Sequence, residues 1–308
     1  MRLFWRRADY PLLRPLRVGG RVLHERSVLE LRLEEPGGST SYGEAAPLPG
    51  LHGETLGELP ARLPWALRRL EQVRARGELR VESVADDDRW RSLPPSLRCG
   101  LEAAVLLLHH GAGISGDLLG LPASVAPPSC GLVDRDLADL DPGLAAHRCI
   151  KVKVGRRAIR TEVAIVHALR RVLGADAELR LDANRAFSLE DALDLAAEVK
   201  SAGPIWIEEP LRDPRQLPRF VERSGMRVAL DETLHEPEHS RLASAAGIAA
   251  WVLKPALLGV LGTVELFGRA LVAPNRPRCV VSSSFEGRLG LEFLRILANC
   301  APGLPAPG

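Results

Sequence analysis

The chain has 308 residues, 46% of them hydrophobic and 26% charged, with 41 Lys plus Arg against 39 Asp plus Glu. That is the composition of an ordinary globular protein, and its near balance of charge gives no reason to expect nucleic acid or an anionic membrane as main partner. The longest purely apolar runs, 103–108 and 248–253, are six residues each, against the roughly 20 that a spanning helix needs.

The length fits two domains, or one large α/β barrel with an addition. Residues 1–17 break every apolar run with Arg, Asp or Pro, so they lack the apolar region of a secretory signal, and a cytoplasmic location is expected. Residues 22–34 alternate apolar and polar side chains, and 36–41 (PGGSTS) read as a turn. With residues 1–20 they predict a small antiparallel sheet. Residues 54–78 carry Leu, Ala and Trp at helical spacing with prolines marking breaks, so helices follow. Residues 1–93 are therefore expected to form an α+β unit. At Pro94-Pro95 the chain enters an apolar helix ending at Gly111.

Beyond that point short apolar strands alternate with helices. The strands are expected at CGLVD (130–134), CIKVKV (149–154), ELRLDAN (178–184), PIWIEEP (204–210), RVALDE (227–232), AAWVLKP (249–255) and CVVSSS (279–284). Such alternation implies parallel pairing through right-handed crossovers. Seven repeats point to a β/α barrel, whose chemistry sits at the C-terminal ends of its strands.

The polar residues at those ends are informative. Lys151 and Lys153 lie two apart on one strand and so share a face. Asp182 ends the next strand, Glu208-Glu209 the fourth, Asp231-Glu232 the fifth and Lys254 the sixth. Lys153, Asp182, Glu208, Asp231 and Lys254 are spaced by 29, 26, 23 and 23 residues, about one βα unit each, which sets them at equivalent levels. Carboxylates on three neighbouring strands suit a hard divalent cation that takes oxygen ligands, Mg²⁺ above all and Mn²⁺ as an alternative. Such an ion can stabilise the enediolate left when a proton is taken from the carbon beside a carboxylate. Amines crowded beside one another and a dication are expected to have lowered pKa values and to act as bases. The chain has only four lysines, the other 37 basic side chains being arginine. An arginine cannot give up its proton, so three of four lysines at strand ends mark proton-transfer positions. Lys200 lies between strands and reads as surface.

These stretches are similar to signatures of a known family. IKVKVG, LRLDANRAF, WIEEPL, ALDETL, VLKPALLG and VVSSSFEGRLGL (280–291) resemble the barrel strands of the enolase superfamily, muconate-lactonizing subgroup, and most of all the o-succinylbenzoate synthase family. SYGEAAPLPGLHGET (41–55) resembles the capping-domain loop that closes over substrate. The resemblance implies an α/β fold, a modified TIM (β/α)7β barrel over 94–289 with an N-terminal α+β capping domain over 1–93, onto which about 290–308 would pack back. It implies Asp182, Glu208 and Asp231 as Mg²⁺ ligands, Lys153 as the base that then protonates the leaving hydroxide, Lys254 as a cation on the opposite face, and Lys151 as a residue tuning Lys153. It further implies Arg180, Ser283 and Ser284 as substrate-binding residues, the serines holding a substrate carboxylate. The implied reaction is loss of water from 2-succinyl-6-hydroxy-2,4-cyclohexadiene-1-carboxylate, in menaquinone biosynthesis, by a hydro-lyase. The segment 291–308 and the helix at about 135–147 are short for the family, which implies looser enclosure of substrate and a rearranged loop 8–24. The roles of Glu209 and Glu232, and the choice between monomer and homo-oligomer, stay open.

Other readings of the same barrel are an N-succinylamino acid racemase, a dipeptide epimerase, a muconate-type cycloisomerase, or a silent barrel used for binding. HEPEH (235–239) fits a zinc-protease pattern, but Pro237 interrupts the helix that pattern needs. GAGISG (111–116) fits a dinucleotide fingerprint, but the prolines and glycine after it exclude the required helix. Cys99, Cys130, Cys149, Cys279 and Cys300 form no CxxC pair and signal neither a zinc site nor disulfides. Asp86-Asp87-Asp88 reads as a solvated turn or helix start.

Overall fold

The computed structural model of the protein describes residues 1–110, 130–134, 143–144 and 147–301. GAGISG, most of the short helix expected at 135–147 and the chain beyond 301 lie outside the described residues. Contacts divide the chain into two units. The first gathers described residues within 1–126, 254–267 and 281–301, the second those within 127–253 and 268–280. This division differs from the expected boundary at 93/94.

The first unit is built on an antiparallel sheet of β1 (Arg2–Val18), β2 (Arg21–Glu34) and β3 (Thr40–Ala45) in the order β1-β2-β3. Residues 8–24, where a rearranged loop was expected, are the far part of the β1/β2 hairpin. Its register shifts between Pro11 and Leu16, around Pro15, which has no N–H to give a ladder. β3 occupies residues read from sequence as turn and loop, and it pairs Thr40 with Glu34 and Ala45 with Leu29. Three short helices follow at α1 (Leu63–Ala75), α2 (Val81–Ala85) and α3 (Asp88–Arg91). The Asp87 carboxylate caps α3 by accepting the N–H groups of Arg89 and Trp90, so the acidic triplet is a helix start.

The apolar helix α4 (Pro95–His110) belongs here because it lies directly on β3. A Cβ at Gly43 would stand 1.9 Å from the Gly100 carbonyl oxygen, so the contact needs glycine on both sides. Helix α8 (Pro255–Val272) and helix α9 (Arg288–Asn299) follow later in the chain. α8 is the one described helix apolar and long enough to be compared with a membrane span. It is interrupted at Gly259, whose φ of 75° is left-handed. A side chain there would meet Arg98 and Glu102 as well as that backbone strain. The buried Glu102 carboxylate accepts the N–H groups of Val260 and Leu261 and the indole N–H of Trp90, capping the renewed helix with negative charge. Glu44 of β3 does the same before α9, accepting the N–H groups of Gly287 and Gly290. In the loop after β3, His52 accepts the Leu48 N–H at Nδ1, so Nε2 carries the proton and donates to the Ala256 carbonyl 3.1 Å away.

The second unit contains a parallel sheet of β4 (Gly131–Val133), β5 (Cys149–Lys153), β6 (Glu178–Asp182), β7 (Trp206–Glu208), β8 (Val228–Leu230), β9 (Ile248–Leu253) and β10 (Arg278–Val281). The strands follow one another in order around the sheet, as repeated right-handed crossovers require. All seven expected strands are present, and the expected eighth strand of a (β/α)7β barrel is not among the described residues. Helices α5 (Ile159–Leu173), α6 (Leu189–Val199) and α7 (Leu217–Ser224) follow β5, β6 and β7. Each turns an apolar face inward, for α6 Leu189, Ala192, Leu195, Ala196 and Val199. Inside the sheet Trp206, Ala229, Ala250, Val252 and Val280 form a dry cluster, leaving polar side chains for the strand ends. HEPEH falls across two 3₁₀ segments, Glu232–His235 and Pro237–Ser244, with extended backbone at Glu236 between them.

Burial raises the Glu102 carboxyl pKa, with Arg98 and its three N–H donors opposing. A raised folded-state value favours folding fully below the ordinary carboxylate pKa of 4.5, and this contribution is lost as pH climbs through the folded value. Glu102→Gln has no such proton. Urea unfolding from about pH 4 to about pH 8 should therefore show wild-type stability falling relative to Glu102→Gln as pH rises; parallel curves would contradict it.

Candidate active site

The register of the parallel strands builds the site. Lys153 of β5 lies beside Asp182 of β6, Asp182 beside Glu208 of β7, and Glu208 beside Ala229 of β8. Lys153, Asp182 and Glu208 therefore occupy one level across three neighbouring strands. Asp231 stands two residues beyond Ala229, one level higher on the same parity. Lys151, Arg180 and Trp206 form the level beneath. Asp182, Glu208 and Asp231 are 1%, 2% and 3% exposed, so their charges have been taken out of water and need partners.

For Asp182 and Glu208 the lysines supply them. Lys151 Nζ donates to Asp182 Oδ2 and to Glu208, each at 2.8 Å. Lys153 Nζ donates to the same Asp182 oxygen at 2.5 Å and to Asn184 Oδ1 at 2.8 Å. One carboxylate oxygen is thus shared by two ammonium groups. Burial works against the charge on Lys151, but Glu208 and Asp182 outweigh it and hold its pKa above the usual lysine range. Burial likewise opposes the Asp182 charge, and Lys151 with Lys153 reverses this, holding that carboxyl well below its usual range. Glu208 goes the other way, pushed up to about 8 by burial and by the neighbouring Asp182, against Lys151. The nearest charges to Lys151 are two carboxylates, and these favour the ammonium.

Among the described residues no three Asp, Glu, His or Cys side chains close around one point, and the Lys151 ammonium is bonded to both Asp182 and Glu208. The donor set is nonetheless all carboxylate oxygen from adjacent strand ends, the chemistry a hard cation takes. Such an ion and the ammonium groups would compete for the same oxygens.

The other expected site residues are placed as follows. Arg180 is buried with its guanidinium 4.8 Å over the Trp206 ring and bonded to Glu178 at 3.2 Å, a partner toward the opposite end of its strand. That places it below the Lys153 level. Lys254 directly follows β9. Ser283 and Ser284 follow β10, and both bond within their own loop: the Ser283 hydroxyl and the Ser284 N–H donate to Glu286 Oε2 at 2.7 Å each. Sequence reasoning missed Asn184. Its side chain accepts from Lys153, its N–H donates to Asp182 Oδ1 at 3.0 Å, and its φ is 43°. An asparagine two residues past a strand-end carboxylate was the available signal, since Asn adopts left-handed backbone more readily than most residues.

A parallel β/α sheet with acids and amines level at its strand ends defines a class of barrel enzymes, and comparison with known proteins agrees. The family model described as enolase C-terminal domain-like matches residues 137–271. The o-succinylbenzoate synthase of Yersinia pestis (strain Pestoides F) is 31% identical over 296 residues, covering 93% of this chain and 82% of that protein. Protein PHYLLO, chloroplastic, of Arabidopsis thaliana is 31% identical over 303 residues, covering 88% of this chain, which spans only 17% of that much longer protein. Among solved structures, o-succinylbenzoate synthase from Thermosynechococcus elongatus BP-1, complexed with Mg in the active site, superposes with a TM-score of 0.74 at 26% identity, over 100% of this chain and 92% of that one. The N-succinyl Arg/Lys racemase of Bacillus cereus ATCC 14579 shares the fold, with a TM-score of 0.81 at 17% identity over 99% of this chain and 85% of that one. The chain belongs to the enolase superfamily, grouped by sequence with the o-succinylbenzoate synthases. It is an enzyme acting on a small molecule.

Removing Lys151 would leave two buried carboxylates without their shared cation. Breaking such a buried pair costs about 3–5 kcal/mol, so Lys151→Met in EDTA should lose stability of that order in urea unfolding. A loss below about 1 kcal/mol, the worth of a surface pair, would mean that the ion pairs do not hold these strand ends together.

Proposed function

We propose that the enzyme is a hydro-lyase that dehydrates 2-succinyl-6-hydroxy-2,4-cyclohexadiene-1-carboxylate to o-succinylbenzoate, in the cytoplasm and within menaquinone biosynthesis. The observation that carries this reading is the single level of Lys153, Asp182 and Glu208, with Lys151 beneath it. The identity to o-succinylbenzoate synthases along most of the chain supports the choice of substrate.

In this reading Asp182, Glu208 and Asp231 would hold Mg²⁺, with Mn²⁺ as a substitute, and the bound ion would supply Lewis-acid stabilisation of charge on the substrate carboxylate. The chain's own residues do the proton work. Lys153, as the free amine, takes the proton from the ring carbon beside the carboxylate. The electron pair left behind is delocalised into that carboxylate, with Lys254 as a cation on the other face. The C–O bond to the ring hydroxyl then breaks, Lys153 returns its proton to the departing hydroxide, and water leaves an aromatic ring. Lys151, fixed by Asp182 and Glu208, stays charged and tunes Lys153 as its neighbour on the same strand face. Asn184 orients the Lys153 amine. Ser283 and Ser284 would hold the distal carboxylate of the substrate, and Arg180 supports the level above it by its charge.

The racemase reading rests on the same two lysines, which could exchange protons on opposite faces of an N-succinylamino acid, and on the shared fold. The assay that separates them runs both substrates on purified protein with Mg²⁺. Dehydration should dominate, and it should be abolished by EDTA and restored by Mg²⁺. Lys153→Ala and Lys254→Ala should each lower kcat by about 10²–10⁴, the usual worth of positioned acid–base catalysis, with circular dichroism unchanged. Racemisation without dehydration would overturn the substrate assignment, and full turnover by both variants would overturn the catalytic one.

A further inference from the structure

Next to the inward-facing Glu208 stands Glu209, 1% exposed and outside the set of acids and amines described above. Successive side chains leave a strand on opposite faces, so Glu209 projects behind the level that Glu208 helps to form. Both its oxygens are in use. Oε1 accepts the backbone N–H of Asp231 and that of Thr233, each at 2.8 Å. Oε2 accepts the Thr233 hydroxyl at 2.7 Å and the Nε–H of Arg185 at 3.0 Å. Arg185 in turn donates through its other nitrogens to Glu236, at 2.7 and 2.8 Å, and to the Thr233 hydroxyl oxygen at 2.7 Å. The backbone repeats the link, since the Arg185 N–H donates to the Glu209 carbonyl at 2.6 Å.

Three residues of this assembly, Asn184, Arg185 and Glu209, have φ of 43°, 60° and 40°. Non-glycine residues hold left-handed backbone only where their surroundings enforce it. One buried carboxylate thus ties together the end of β7, the turn after β6 that carries Asn184, and the backbone of Asp231 at the end of β8. Asn184 is the residue that accepts from Lys153.

We infer that Glu209 is a positioning residue that sets the Asp231 carboxylate for a divalent cation and, through Arg185 and Asn184, the Lys153 amine for proton transfer. The inference rests on the reading of Asp231 as a cation ligand. Groups that orient a metal's own ligands are worth about 10–100-fold in metal affinity. Glutamine in place of Glu209 keeps the shape but turns one acceptor into a donor, so an NH2 must face either the two backbone N–H groups or the Arg185 Nε–H, and the link between Asp231 and Arg185 is broken whichever way the amide lies.

The test uses the full chain without substrate and Mn²⁺ as probe, with affinity followed by electron paramagnetic resonance of the free ion. Glu209→Gln should weaken Mn²⁺ binding about 10–100-fold, and turnover at saturating metal should fall through kcat with little change in KM. Thr233→Val should move the same way and Thr233→Ser should recover wild-type affinity, a pair that decides the matter if Glu209→Gln does not fold. Asp231→Asn in the same series reports on the underlying reading. If Asp231→Asn loses Mn²⁺ while Glu209→Gln and Thr233→Val keep wild-type affinity, or show only a lower melting temperature, the positioning role is overturned. If Asp231→Asn itself binds Mn²⁺ as wild type does, the cation-ligand reading fails and this inference falls with it.

Discussion

The structure depends on a lateral match: the rungs of three parallel strands bring Lys153, Asp182 and Glu208 to one level in a place nearly sealed from water. Buried carboxylates are tolerated only when compensated, and here the compensation is Lys151 and Lys153 on the adjacent strand. A slip of one residue in β6 against β5 would turn Asp182 to the other face and leave both amines without it. The apolar cluster of Trp206, Ala229, Ala250, Val252 and Val280 lies on the same parity, with Ala229 level with Glu208 and Trp206 level with Arg180. The charged level is therefore bordered by packed apolar side chains as well as by its own ion pairs.

The site's electrostatics follow from geometry more than from residue type. Asp182 and Glu208 are both buried acids at strand ends, yet one is held below its usual range and the other pushed up to about 8. The difference is that Asp182 receives two ammonium groups and Glu208 one, with Asp182 itself as a neighbouring negative charge. A competing dication would meet an arrangement already organised around positive charge, with amines ready to be released from the oxygens it takes.

The first unit uses one device at two of its helix starts. Glu102 and Glu44 are buried acids whose charge is met by backbone N–H groups at helix N-termini, before the renewed part of α8 and before α9. This explains why residues from distant parts of the chain, 1–110, 254–267 and 281–301, gather in one unit: single carboxylates on the early elements cap helices that arrive much later. The pairing of β1 with β2 was legible in the sequence, but the far part of that hairpin and strand β3 were not, because the prolines at 11 and 15 and the turn-like 40–45 carry signals that tertiary pairing overrode.

The seven parallel strands, their order, and the strand-end positions of Lys151, Lys153, Asp182, Glu208, Asp231 and Lys254 were all legible in the sequence, because apolar runs of strand length and one-unit spacing are local patterns. The scarcity of lysine made those positions conspicuous. Tertiary structure alone decided which acid shares which amine, the carboxylates that hold the Lys151 pKa up, the placement of Arg180 beneath the charged level, and the links from Glu209 to Asp231 and Arg185. Those depend on distances between chain segments 20 or more residues apart, and such distances are set by strand register and by the left-handed turns at Asn184, Arg185 and Glu209, neither of which leaves a periodic trace in the order of residues.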